Sequence, residues 1–150
     1  HKAELARSNG CDYPILYSQE DFVEKVREIT DGKGVDAVYD SVGQATFLQS
    51  LDCLQPLGTM VSFGQSSGSV PPLELGLLAA KGSLFLTRPS LMTYTEKQQD
   101  LVAHAEDLFD VVQLGAVKVV IGQTYDLAEA ATAHRDLEGR KTTGSTILTP

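Results

Sequence analysis

Two short runs carry the residue types that hold a ligand at the end of a strand: Asp40-Ser41-Val42-Gly43 and Phe63-Gly64-Gln65-Ser66. Each sets polar side chains beside a glycine, and glycine lets a ligand approach the backbone where any Cβ would collide. Asp40 could be mistaken for a general base, yet acids at strand ends often only cap the following helix. His104 and His134 fall in helix-like stretches and read as structural or solvated groups. Cys11 and Cys53 have no CxxC or His/Cys pairing, so they make neither a disulfide framework nor a metal cluster. They read as two reduced thiols.

A dinucleotide site also needs a glycine-rich turn that follows a strand and opens a helix, whose N-terminus holds the pyrophosphate. The literal match, Gly32-Lys33-Gly34-Val35-Asp36-Ala37, does the reverse: it ends a helix and opens a strand. It reads as a turn. No other glycine cluster qualifies, and a nucleotide-binding fold without a phosphate loop implies that the chain has been cut.

The elements that must position these loops follow from apolar spacing. Lys2 to Asn9 reads as a helix stopped by Gly10, and Tyr13–Tyr17 as a short strand. Ser18 is expected to cap a helix whose apolar face is Phe22, Val23, Val26 and Ile29. Val35 to Asp40 reads as a largely buried strand, Gln44 to Leu54 as a helix and Thr59 to Gly64 as a buried strand. A short helix from Leu75 to Ala80 precedes the strand SLFLTRP, which Pro89 ends. The pattern then gives a long helix from Thr95 to Leu114, with Leu101, Ala105, Leu108, Phe109 and Val112 facing inward. VKVVIG, a helix from Asp126 to Leu137 and a last strand Ser145–Thr149 complete the chain. Strands alternating with helices imply parallel pairing through helical crossovers, hence an α/β doubly wound sheet with ligands beyond the strands' carboxyl ends.

The chain has 150 residues, 42% of them apolar. That suits one soluble domain able to bury roughly 70% of the surface its unfolded chain exposes. A net charge of −8 argues against nucleic acid and against an anionic membrane surface. No apolar run approaches the roughly 20 residues of a membrane span, and no signal-peptide pattern opens the chain. The expected location is the cytoplasm.

Several long blocks, KAELARSNG, DFVEKVREITDGKGVDAVYDSVG, SLDCLQPLGTMVSFGQSSG, KGSLFLTRPSL and AHRDLEGRKTTGSTIL, resemble the NADPH-dependent quinone oxidoreductases. These form the zinc-free branch of the medium-chain dehydrogenase/reductase superfamily and include relatives of zeta-crystallin. The resemblance implies a partial Rossmann-type sheet that lacks its first strands and glycine-rich loop. Residues 1–150 would be the C-terminal part of the NADPH-binding domain, with no GroES-like domain.

The resemblance also assigns the cofactor residues. Lys2 matches a lysine suited to the 2′-phosphate, Tyr17 a tyrosine at the adenosine end, and Ser41 and Val42 the loop beside the adenosine. Phe63, Gly64, Gln65 and Ser66 match the loop along the nicotinamide half, where many relatives have Asn in place of Gln65. Arg140 matches an arginine near the cofactor. The implied reaction is hydride transfer from NADPH to a quinone or another electron-poor acceptor, with no catalytic residue or metal in this chain and no activity from it alone. Two alternatives stand beside this: an enoyl reductase fragment, and a non-catalytic dimerisation module that pairs two copies through the Ser83–Thr87 edge strand. Loss of the two central strands would leave Tyr13–Tyr17 without neighbours, so that segment is expected to repack or swap, or the sheet to close differently.

Overall fold

A computed structural model describes residues 1–150 as two compact units, Ala3–Thr93 and Tyr94–Pro150, with Lys2 grouping with the second. The first contains α1 (Lys2–Ser8), α2 (Phe22–Ile29), β1 (Val35–Asp40), α3 (Phe47–Asp52), β2 (Leu54–Ser62), α4 (Leu75–Ala80) and β3 (Phe85–Thr87). The short helix α5 (Leu91–Tyr94) leads to α6 (Gln98–Gln113), β4 (Ile121–Asp126), α7 (Ala130–Glu138) and β5 (Ser145–Thr149).

In the first unit the three strands run parallel in the order β1-β2-β3. The register sets Val38 against Met60 and Asp40 against Ser62, and Met60 in turn against Leu86. This aligned set of strand ends brings the Asp40 and Phe63 loops to one edge of the sheet. The core lies where α3 and α4 cover one face: Phe47, Leu51, Leu54, Met60 and Leu84 are buried, with Val35, Val38, Leu77 and Leu78 against them. Apolar residues four apart, Phe47 and Leu51, present one stripe of α3 to the sheet.

The expected doubly wound arrangement is present as this three-stranded part; β4 and β5 form a separate parallel pair in the second unit. There α7 links the two strands and buries Ala133.

Several expectations are corrected. Tyr13–Tyr17 is not a strand: it joins no ladder, and Tyr13 and Tyr17 are exposed. Extended residues become a strand only when a neighbour accepts and donates their backbone hydrogen bonds, and no strand of the chain does so here. β1 is not largely buried, because it pairs on one side only; Tyr39 is 73% exposed. Ser18 lies in a turn, and Asp21 caps α2 by accepting from the Val23 and Glu24 amides. A carboxylate closer to the apolar run reaches the free amides that Ser18 cannot.

The strand expected at residues 117–122 runs instead from Ile121 to Asp126, where β5 supplies its partner. On α6 the apolar spacing correctly marks a helix, but none of its residues is buried; Leu101, Leu108 and Phe109 are exposed. Gly32 and Gly34 lie in the α2–β1 turn, as expected.

Candidate functional site

Asp40 ends β1 and organises the loop and helix beyond it. Its Oδ1 accepts hydrogen bonds from the backbone N–H of Val42 (2.7 Å) and Gly43 (2.9 Å). Its Oδ2 accepts from the hydroxyls of Thr46 (2.7 Å) and Ser50 (2.8 Å). Asp40, Thr46 and Ser50 are all buried. Burial alone would raise the Asp40 carboxyl's pKa, but the bonds from Gly43, Thr46, Ser50 and Val42 outweigh it and hold it below the ordinary carboxylate value. A carboxylate saturated by four donors is a fastener between loop and helix and is unsuited to taking a proton.

The second loop is tied to the first. The amides of Phe63 (2.9 Å) and Gly64 (3.3 Å) donate to the Asp40 carbonyl. Further along, Ser66 N–H donates to Ser41 O (3.2 Å), Ser67 N–H to Val42 O (2.8 Å) and Gln44 N–H to Gly68 O (3.1 Å). The glycines serve this packing. A Cβ on Gly64 would sit 2.5 Å from the Ser41 carbonyl oxygen, and one on Gly43, at φ +87°, 2.7 Å from that of Gly68. Close approach of loop to loop is thus one reason that both positions are glycine.

Beside Asp40 lies an open cleft of about 250 Å³, lined by Tyr17, Ser41 and Val42 together with Ile15, Phe22 and Tyr39. Among the residues assigned from sequence, Tyr17, Ser41 and Val42 thus share one cleft, and Phe63, Gly64, Gln65 and Ser66 form the loop bound to it. Phe63 is half exposed. Arg140 belongs to the second unit, and Lys2 groups with it. Arg140 sits in the turn after α7 at φ 56°. In the same unit the Lys141 ammonium and the Tyr125 hydroxyl each donate to the Asp136 carboxylate at 3.0 Å. Sequence reasoning missed Thr46, Ser50 and Ser67. The first two had a signal, hydroxyls four residues apart at the start of a helix whose Phe47 and Leu51 lie on its apolar stripe.

No group of three or more His, Cys, Asp or Glu side chains stands close enough to hold a metal ion. Burial raises the Cys53 thiol to about 11, with Asp52 adding to the shift, so the thiolate that reacts or binds metal is disfavoured. No helix is long and apolar enough to cross a membrane.

The family model described as zinc-binding dehydrogenase matches residues 9–148. The chain belongs to that family. Within the zinc-binding dehydrogenases it is 48% identical over 149 residues to a quinone oxidoreductase of Pseudomonas aeruginosa, covering 99% of this chain and 46% of that protein. A 2-haloacrylate reductase of Burkholderia is 46% identical over 150 residues, covering 99% of this chain and 45% of that protein. The crystal structure of Escherichia coli quinone oxidoreductase complexed with NADPH superposes with a TM-score of 0.94 at 48% identity, covering 99% of this chain and 46% of that one. The chain spans less than half the length of these relatives.

Proposed function

We propose that these 150 residues are the C-terminal part of the NADPH-binding domain of a zinc-independent quinone reductase. The observation that carries this reading is the cleft in which Tyr17, Ser41 and Val42 meet, the three residues that the resemblance assigns to the adenosine end. An apolar hollow with aromatic and hydroxyl-bearing walls suits a flat base and its ribose. The resemblance further assigns Lys2 to the 2′-phosphate, Arg140 to the neighbourhood of the cofactor and the Phe63–Ser66 loop to the nicotinamide half. NADPH, when held, supplies the hydride, and the chain's own residues orient it.

The acceptor class is a quinone or another electron-poor alkene or carbonyl. The two named relatives support this breadth, since a quinone and a haloacrylate are both electron-poor conjugated systems. No residue here is assigned to the chemical step. The diphosphate has no cradle among these residues, because the glycine-rich turn in the required strand–turn–helix context is missing.

The 150-residue chain alone is expected to show no NADPH oxidation with a quinone. Adenosine 2′,5′-bisphosphate, in contrast, should shift the amide resonances of Ser41 and Val42 at millimolar concentration. Turnover comparable to a full-length reductase, or tight NADPH binding with both ends ordered, would overturn the proposal. A second reading within the same domain is self-association: β3 pairs with β2 alone, and Phe85 and Leu86 are exposed on it.

A further inference from the structure

We infer that the Ser67 hydroxyl is a positioning group that fastens the two loops into one unit, fixing the spacing between the residues that face the two ends of NADPH. This rests on the cofactor reading of the site. Ser67 Oγ donates to the Val42 carbonyl (2.7 Å) and accepts from the Ala45 N–H (3.0 Å). It therefore reaches across from the second loop and grips the first on both sides of Gly43. Backbone bonds flank this grip, from Ser66 to Ser41 and from Gln44 to Gly68. The glycine contacts leave no slack, since a Cβ at Gly64 would meet the Ser41 backbone.

The physical consequence concerns a ligand with two ends. If the loops move independently, binding the second end must first restore the spacing, and affinity falls by that ordering cost. If they are clasped, the second end meets a preformed surface and its binding is effectively intramolecular. A ligand carrying the adenosine end alone gains nothing from the clasp. Ser67 is exposed, and threonine keeps a hydroxyl on the same Cβ.

The first experiment needs no cofactor: amide hydrogen exchange of the chain with Ser67→Ala and Ser67→Thr. Ser67→Ala should speed exchange about ten-fold at Gln44 and Ser66, whose own partners are intact, as well as at Ala45, while the β1–β2 ladder is unchanged. Ser67→Thr should restore the original rates. Acceleration confined to Ala45, or no rescue by threonine, would overturn the clasp. Gly64→Ala gives an independent reading if Ser67→Ala does not fold, because its Cβ must part the loops; an unaltered pattern in it would also overturn the clasp.

The second experiment uses the intact reductase. Ser67→Ala should raise the KM for NADPH about ten-fold with kcat little changed, and weaken inhibition by adenosine 2′,5′-bisphosphate less than about three-fold. Equal weakening of both ligands, or of neither, would remove the positioning role. Failure of the cofactor reading itself would show differently, as loops that are clasped in exchange but unaffected by either ligand.

Discussion

Asp40 does more for this site than any residue assigned to it from sequence. Replacing it with alanine leaves two buried hydroxyls and two backbone amides without their acceptor. Asp40→Ala should therefore cost about 3–5 kcal/mol in urea unfolding, and Asp40→Asn, which keeps the shape and one acceptor, about 1–2 kcal/mol. The carboxyl's pKa is depressed in the folded state. Its contribution is thus complete above the unfolded value near 3.8 and is lost as pH falls through the lower folded value. The urea midpoint should drop as pH falls below the unfolded value near 3.8, more steeply in the natural chain than in Asp40→Asn. Part of this was legible. The sequence shows an acid at a strand end, but it is not the helix cap expected there: Asp40 accepts from loop amides ahead of α3 and from two hydroxyls. Its four donors were hidden because Thr46 and Ser50 face it only after α3 docks on the sheet.

At the scale of elements, what could be read depended on whether the defining interaction was local. The α2 pattern, the turn at Gly32 and Gly34, and the span Ser145–Thr149 follow from spacing and turn chemistry alone. Tyr13–Tyr17 did not, since a strand is completed by its neighbour, and β1 pairs only with β2. The register irregularity between Val35 and Ala37 was equally invisible. β2 makes its own bend at Leu57, which takes φ 64° while its N–H donates to the Gly82 carbonyl at 2.8 Å. A leucine in that conformation is strained, and its side chain is 66% exposed, so little burial opposes a change. Leu57→Gly should raise stability by roughly 0.5–1 kcal/mol, read from the denaturant midpoint. Asp21→Ala, which removes both capping bonds of α2, should lower it by about 1 kcal/mol.

For the whole molecule, the sheet's two outer strands are the features that reach beyond the chain. β3 is three residues long and exposed throughout, with its far edge unpaired. If two copies join there, Leu86→Lys should leave only monomer in analytical ultracentrifugation while the circular dichroism spectrum is unchanged; persistence of the dimer would place the contact elsewhere. The other outer strand, β1, has its own bare flank, and Tyr39 stands open beside it. Unsatisfied backbone groups next to an aromatic ring invite strangers. Copies overproduced in an expression host should accordingly linger on chaperones or collect in inclusion bodies. The recovered fraction should fall with warmth, as apolar attraction strengthens, and rise when any binder shields that flank.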